Sequence, residues 1–238
     1  PIWMIIVGAL VAIGIGKMTF GGLGCNPFNP AIVGRCFLLV SFPAAMTSWP
    51  VAGQQMAYTD AVTGATPLSL MKTAIKTGDV SVLQGLPDTV DMLLGNVANG
   101  YGAGTIGEVC ALALIAGLIW MLWRRVITWH IPITILATVF VLSGALHVAN
   151  PVYAHPMAVV LSGGLMLGAI FMATDYVTSP MTHRGQVIYA VGIGVLTVVI
   201  RNWGSYPEGM SFAILIMNAF TPLINFYVKP KRFGEVSR

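Results

Sequence analysis

Residues 131–148 read IPITILATVFVLSGALHV, a run that contains no Asp, Glu, Lys or Arg. A helix needs about 20 predominantly apolar residues to cross a bilayer, so this run predicts a membrane span. Other apolar runs occupy 2–16, 30–46, 109–123, 157–174, 187–200 and 210–228. Several of these are short for a span, which favours half-helices or helices enclosed in a bundle. We therefore predict an all-helical, polytopic membrane protein with short and broken helices.

The composition supports a membrane protein. Hydrophobic residues make up 56% of the 238 residues, and charged residues only 8%. A soluble domain carries roughly 25% charged residues. So few charges cannot cover a soluble globule, which excludes a cytosolic enzyme, a disordered chain and, despite the net charge of +4, a nucleic-acid-binding protein. The three cysteines show no CxxC or Cys/His spacing, which excludes a disulfide scaffold and argues against a zinc or iron–sulfur site.

The distribution of basic residues predicts the orientation in the membrane. The long polar stretch 47–108 divides the chain into membrane helices at 1–46, an outer-face loop at 47–108 and a second helical region with a cytoplasmic tail at 109–238. With 47–108 outside, most of the 12 Lys and Arg residues fall on the inner side, which is the positive-inside distribution. These inner residues are Lys17, Arg124, Arg125, Arg184, Lys229, Lys231, Arg232 and Arg238. We predict a multi-pass protein of a bacterial or archaeal cell membrane with a cytoplasmic C-terminus.

The sequence opens with Pro1-Ile2-Trp3 inside an apolar run, without an initiator Met or a charged leader region. We therefore expect further membrane helices upstream in a longer protein.

A weak internal repeat relates residues 1–42 to residues 186–227. Each copy has an apolar helix, a basic residue (Lys17 or Arg201), a break rich in Gly and Pro, and a second apolar helix. The predicted topology places Lys17 inside and Arg201 outside, so the copies are inverted. Inverted repeats with broken helices are typical of transporter-like cores, although two unrelated membrane hairpins share the same pattern.

The polar stretch contains the segment Asp60-Ala61-Val62-Thr63-Gly64-Ala65-Thr66-Pro67-Leu68. Gly64 and Ala65 leave the Thr66 hydroxyl accessible, and Pro67 favours an extended backbone at Thr66. Such a segment is able to enter the active site of a modifying enzyme. On composition alone, a polar turn is the simpler interpretation.

The pattern Asp-x-x-Thr-Gly-Ala-Thr at 60–66 resembles the flavinylation motif of membrane flavoproteins in the Rnf and Na⁺-pumping NADH:quinone oxidoreductase complexes. The other stretches that resemble this family are Gly21–Gly24, Asn26–Ala31, Ser41–Pro43, Met46–Trp49, Trp129–Pro132, Ser162–Gly164, Thr174–Pro180 and Tyr206–Gly209. They follow in order along nearly the whole chain, so the sequence is similar throughout to the family of Rnf D subunits and their homologues, the B subunits of the quinone-linked pump.

The resemblance implies a covalent cofactor and a second, non-covalent one. FMN would be joined through a phosphoester to the Thr66 hydroxyl by a flavin transferase on the outer face. The motif residues around this cofactor are Asp60, Thr63, Gly64 and Ala65. A riboflavin is associated with this superfamily, and the resemblance makes Asn26, Phe28 and Asn29, at a broken helix, its contact residues here.

The resemblance also implies a urea-transporter-like helical core and a function. The chain would be an electron-carrying subunit of a ferredoxin:NAD⁺ oxidoreductase that couples electron transfer to Na⁺ or H⁺ translocation, and it would not be catalytic alone. Its partners would be the A and E membrane subunits, the outer-face flavoprotein G and the iron–sulfur B and C subunits. The segment His183-Arg184-Gly185 favours this over the B subunit of the quinone-linked pump. A small-solute channel without a redox role is the alternative from another class.

Three further features concern ions and charge within the membrane. Asp175 follows an apolar run among hydroxyl residues that would suit Na⁺, which makes it a candidate for the ion path. Its simpler interpretations are a cap of the next turn or a pair with Arg184. Arg35 lies within an apolar run and is predicted to pair with an acidic residue or to contact a flavin. The four histidines, His130, His147, His155 and His183, lack ligand spacing and are predicted to be interfacial.

Overall fold

The computed structural model describes residues 2–47, 66–95, 110–206 and 208–230. Within these ranges all regular secondary structure is helical, and no β-strand occurs. The helices are α1 (Ile2–Leu10), α2 (Pro30–Ser41), α3 (Pro43–Thr47), α4 (Pro67–Thr77), α5 (Thr89–Leu94), α6 (Ala111–Trp123), α7 (His130–Ala149), α8 (Pro156–Leu161), α9 (Leu165–Leu167), α10 (His183–Trp203) and α11 (Met210–Tyr227). A π-helical segment (Val11–Ile15) and a 3₁₀ turn (Met18–Phe20) extend α1. Another π-helical segment (Gly168–Met172) extends α9, and a 3₁₀ helix occupies Val80–Gly85.

Among the described residues, four helices are long and apolar enough to cross a membrane: Ile2–Phe20, His130–Ala149, His183–Trp203 and Met210–Tyr227. The apolar helices α2 and α6 are shorter. Large apolar side chains such as Ile5, Leu23 and Val148 are strongly exposed on the isolated chain, as expected for surfaces that face lipid or other subunits. The predicted all-helical, polytopic membrane fold is confirmed.

The core lies around α10, which packs against α7 on one side and α11 on the other. Fully buried side chains of this core include Ile135, Tyr189, Ile193 and Ile214. A Cβ at Gly194 of α10 would lie 2.7 Å from Thr138 Cβ of α7, so the close approach of these two helices depends on a residue without a side chain. This is the small-residue packing that membrane helices use where the hydrophobic effect does not drive association.

The apolar run 157–174 is a broken helix, as its short length suggested. Helix α8 ends at Leu161, the chain turns through Ser162–Gly164, and the helix resumes at Leu165. Gly163 has φ +65°, a left-handed conformation that a residue with a side chain adopts only under strain. The break therefore depends on a glycine at this position.

The described part of the predicted outer loop, residues 66–95, is largely helical. Met71 of α4 and Met92 of α5 belong to a second apolar cluster, together with Ala111, Ala154 and Leu161. This cluster joins α4 and α5 to α6 and to the broken helix α8. The segment is therefore packed against the membrane region rather than being a free polar loop. On which side of the membrane it lies stays a prediction.

Both copies of the predicted repeat are helix–break–helix units. Ile2–Phe20 and α2 flank a break at 21–29, and α10 and α11 flank a break whose described residues are 204–206 and 208–209. Helix α2 packs against α11, so the second helices of the two units are neighbours. The inverted orientation of the two units stays a prediction.

Candidate functional site

Thr66 is the N-cap of α4. Its backbone is extended, with φ −73° and ψ 150°, as the following proline predicts. Its Oγ1 accepts a hydrogen bond from the Ser69 N–H at 3.2 Å, and Ser69 Oγ donates to the Thr66 carbonyl at 2.7 Å. The side chain is half-buried. The hydroxyl thus lies at the N-terminus of an 11-residue helix, where the positive end of the helix dipole favours a phosphate group.

The other predicted motif residues, Asp60, Thr63, Gly64 and Ala65, lie outside the described residues.

Lys72 lies on the buried face of the same helix. Its side chain is only 9% exposed, and its Nζ donates to the Gly204 carbonyl at the end of α10, at 2.6 Å. Helix α4, which carries Lys72, is not one of the candidate membrane-spanning helices. Burial lowers the pKa of Lys72, and the neighbouring positive charge of Lys76 lowers it further. The helix that begins at Thr66 is therefore fixed to the break between α10 and α11 by a desolvated ammonium group.

A small, partly open cavity lies beneath α4. Helices α4, α7, α8 and α10 and the connection between α7 and α8 line it. Its lining residues are Leu68, Met71, Lys72, Ile75, Ser143, Leu146, Tyr153, Ala154, Val159, Val198, Arg201 and Asn202.

Arg201 is buried between this cavity and the broken helix. The side chain is 6% exposed. Its guanidinium donates to the Val159 carbonyl at 2.8 Å and to the Ser162 carbonyl at 3.1 Å. These carbonyls belong to the C-terminal turn of α8 and have no helical N–H beyond the break. The arginine satisfies them and places positive charge at the negative end of the helix dipole.

The roles of Lys72 and Arg201 were not predicted from the sequence. One signal was available for Lys72, because the spacing of Leu68, Lys72 and Ile75 places the lysine on the apolar face of its helix. No comparable signal identifies Arg201, since the carbonyls that it contacts lie about 40 residues away along the chain and are exposed only by the break in α8.

The predicted riboflavin contacts lie at the first break. Asn29 is the N-cap of α2, where its Oδ1 accepts from the Ala31 N–H at 3.1 Å, and its Nδ2 donates to the Met172 carbonyl at 3.2 Å. Asn26 is buried and its Nδ2 donates to the Phe28 carbonyl at 2.9 Å. Phe28 is half-buried. The three residues lie close together, and the side-chain amides of Asn26 and Asn29 form hydrogen bonds that stabilise the broken segment.

Arg35 forms an ion pair with Glu208. Arg35 lies on α2, after the first break, and Glu208 lies in the second break, before α11. The predicted pairing of Arg35 with an acidic residue is therefore confirmed, and the pair joins the two helix–break–helix units.

Asp175 lies at one end of a series of buried polar groups. Its carboxylate accepts from Thr178 Oγ1 at 3.1 Å, and Thr221 Oγ1 donates to the Thr178 carbonyl at 2.9 Å. One turn earlier on α11, Asn218 lies 2.6 Å from the Tyr189 hydroxyl. With its amide oriented to satisfy both neighbours, Asn218 also accepts from the Asn29 N–H at 3.2 Å. These hydrogen bonds form two groups on neighbouring turns of α11, one at Asp175 and one that reaches the first break.

The alternative pair between Asp175 and Arg184 does not form. Among the described residues, no basic side chain lies within 4 Å of the Asp175 carboxylate. The half-buried carboxylate instead makes the contact with Thr178.

The four histidines form two pairs. His130 and His183, at the starts of α7 and α10, stack with ring centroids 4.3 Å apart, and Trp129 stacks on His130 at 4.2 Å. His147 and His155 meet edge to face at 5.7 Å. Within the described ranges no cluster of three metal-ligating side chains occurs. The pairs lie at helix ends, which fits the predicted interfacial positions.

Comparison with known proteins defines a class: subunits of ion-translocating oxidoreductase complexes. The profile of the NQR2, RnfD, RnfE family matches residues 1–234. The chain belongs to this family, as the order of its motifs predicted.

Several curated relatives are similar to this chain over nearly all of its residues. The D subunit of the Na⁺-translocating ferredoxin:NAD⁺ oxidoreductase complex of Acetobacterium woodii is 45% identical, over 98% of this chain and 67% of the relative. The D subunit of the proton-translocating ferredoxin:NAD⁺ oxidoreductase complex of Clostridium ljungdahlii is 41% identical, over 98% and 69%. The D subunit of an ion-translocating oxidoreductase complex of Halorhodospira halophila is 40% identical, over 99% and 70%.

Proposed function

We propose that the chain is the D subunit of an Rnf-type complex and carries electrons on FMN bound covalently to Thr66. The observation that carries the proposal is the place of the Thr66 hydroxyl, at the N-terminus of α4 and at the last position of the Asp-x-x-Thr-Gly-Ala-Thr motif. A phosphoester there lies at the positive end of the helix dipole, which stabilises its negative charge. Flavin exchanges one or two electrons, so it connects iron–sulfur centres with two-electron carriers.

A covalent bond suits an electron carrier at a membrane surface. A free flavin would have to stay bound through every redox state. The bond makes the encounter of the ring with its site intramolecular, which raises its effective concentration. The chain's own contribution is to fix the attachment point through α4 and its contact with α10.

The experiment is detection of flavin by in-gel fluorescence after denaturation, in cells that also express the flavin transferase. The wild-type band is expected to fluoresce and the Thr66→Val band to be dark. Thr73→Val is the matched control, because Thr73 is an exposed threonine on the same helix, and its band is expected to fluoresce. A dark wild-type band would contradict the proposal and favour a channel or transporter without a redox role.

The remaining parts of the proposal follow from the family. The partners are the A and E membrane subunits, the outer-face flavoprotein G and the iron–sulfur B and C subunits, with the flavinylated segment on the outer face and the C-terminus in the cytoplasm. The electrons pass between ferredoxin and NAD⁺. A riboflavin occupies the first break, near Asn26, Phe28 and Asn29.

For the ion path we propose Asp175 as its inner carboxylate. The polar series through Thr178, Thr221 and Asn218 supports this, because oxygen atoms in an otherwise apolar helix bundle are suitable neighbours for a translocated cation. The names of the relatives include both a sodium and a proton enzyme, so the ion is left as Na⁺ or H⁺.

A further inference from the structure

We propose that the small cavity beneath α4 binds one monovalent anion of the size of chloride, held between Lys72 of α4 and Arg201 of α10. Both side chains line the cavity, whereas Thr66 is not among its described lining residues. The anion site is therefore distinct from the proposed attachment point of FMN, and the inference does not depend on the proposed function.

Two buried cationic side chains reach the cavity from two helices. Lys72 is 9% exposed and Arg201 is 6% exposed. None of the described lining residues is Asp or Glu, so the charges on the described part of the wall are all positive. Moving the Lys72 ammonium out of water is costly unless an opposite charge compensates for it. An anion in the cavity supplies this compensation, and Arg201 adds a second positive charge that attracts the anion.

Lys72 has donors available for such a ligand. An ammonium group carries three N–H donors, and among the described residues Nζ donates to one acceptor, the Gly204 carbonyl at 2.6 Å. In the same part of the chain no Asp or Glu carboxylate lies within 4 Å of Nζ. Burial and the charge of Lys76 lower the pKa of Lys72. A bound anion would raise this pKa again, because a nearby opposite charge favours the protonated form.

The size of the cavity limits the ligand to a small ion. The centres of water-sized molecules have about 30 Å³ available there, which is room for about two waters. One chloride ion takes up most of this space, and an organic molecule does not fit. Leu68, Met71 and Val198 make part of the wall apolar. Because the cost of removing an ion from water rises with its charge, such a wall favours a monovalent over a divalent anion.

Neutral donors lie on the same wall. Tyr153 and Asn202 line the cavity and carry O–H and N–H groups that are able to donate to an anion. Ser143 also lines it, but its hydroxyl donates to the Val139 carbonyl at 2.6 Å and is already used. The cavity is partly open, so an ion is able to enter without unfolding of α4.

The first experiment locates the ion with bromide, which replaces chloride and scatters X-rays anomalously at its absorption edge. A crystal of the wild-type complex in sodium bromide is expected to show an anomalous peak between Lys72 and Arg201. A cavity that contains only water under these conditions would overturn the inference.

The second experiment measures the effect of the anion in solution. Thermal unfolding of the solubilised complex is followed in sodium chloride, sodium bromide and sodium gluconate at equal ionic strength, so that the screening of surface charges is the same. Chloride and bromide are expected to raise the midpoint of the wild type until the site is saturated, because a ligand that binds only the folded state stabilises it. Gluconate is too large for the cavity and is expected to have no such effect. Equal wild-type midpoints in chloride and gluconate would mean that the peak reflects binding at crystal concentration only, and would overturn the inference.

Variants assign the response to this cavity. Lys72→Met is expected to lose the saturable effect of chloride, and Lys76→Met is the matched control, because Lys76 is exposed on the same helix and is not among the described lining residues. If Lys72→Met fails to assemble through loss of its bond to Gly204, Ala154→Leu takes its place, because it narrows the cavity without removing a charge. An unchanged chloride response in an assembled Lys72→Met or Ala154→Leu complex would overturn the inference.

Discussion

At the scale of single residues, removing the charge of Asp175 distinguishes a structural role of its carboxylate from a role in ion transport. An Asn at this position keeps an oxygen that accepts from Thr178 Oγ1, so the local hydrogen bond survives while the charge is removed. The structure also lacks the ion pair with Arg184 whose loss would otherwise confuse the result.

We therefore expect Asp175→Asn to assemble with full flavin content and to take up less Na⁺ or H⁺ per electron in proteoliposomes. Asp88→Asn is the control, because Asp88 is exposed at the start of α5 and its side chain does not cap the helix. Normal uptake in a normally assembled Asp175→Asn complex would remove this residue from the ion path.

The geometry of the broken helix depends strongly on one residue, Gly163. Besides its positive φ, a Cβ here would lie 3.2 Å from Leu68 Cδ2 and 3.3 Å from an Arg201 guanidinium nitrogen. The guanidinium is held by its hydrogen bonds to the Val159 and Ser162 carbonyls, so it cannot move aside without losing them.

Gly163→Ala is expected to destabilise the protein by about 1–3 kcal/mol, the cost of a residue held in a sparsely populated backbone conformation. Thermal unfolding of the solubilised complex measures the effect as a lower midpoint. Gly14→Ala is the control, since a Cβ there meets nothing within 4 Å and the backbone does not require glycine. Equal midpoints for the two variants would contradict this account of the break.

At the scale of helices, the sequence predicts what depends on neighbouring residues. The apolar runs gave the spans α7, α10 and α11 to within a few residues, and Pro67 predicted the extended backbone at Thr66. Local steric effects and local hydropathy determine these features, so a short stretch of sequence is enough to predict them.

Contacts between distant helices could not be predicted in the same way. The hydrogen bonds of Arg201 to the end of α8 and of Lys72 to the end of α10 arise only when the bundle has assembled. A basic residue in such a sequence has several possible partners, because any exposed carbonyl or carboxylate satisfies it. The candidate site was therefore predictable at Thr66 but not in the cavity beside it.

At the scale of the whole molecule, the predicted topology places Cys25 inside and Cys110 outside. Cys25 is exposed and Cys110 half-buried, whereas Cys36 is buried, so two thiols report on the two sides. Helix α1 and its extension are predicted to run inward towards the break that holds Cys25, and α6 to begin at the outer surface just after Cys110.

A membrane-impermeant maleimide is expected to label Cys110 on intact cells and Cys25 only after permeabilisation. Single-cysteine variants that retain one of the two thiols, in a Cys36→Ala background, measure this directly. Labelling of Cys25 on intact cells would reverse the orientation derived from the basic residues.

The ion pair between Arg35 and Glu208 also sets an order of events during synthesis. The two residues are separated by 173 positions, so the pair cannot form until the segment that carries Glu208 has left the ribosome. At translation rates of roughly 5–20 residues per second, Glu208 is synthesised about 9–35 s after Arg35. During that interval the N-terminal helices are already made, but their connection to the last hairpin is not. Docking of α2 against α11 through this pair consequently follows the synthesis of the helices that lie between them in the sequence.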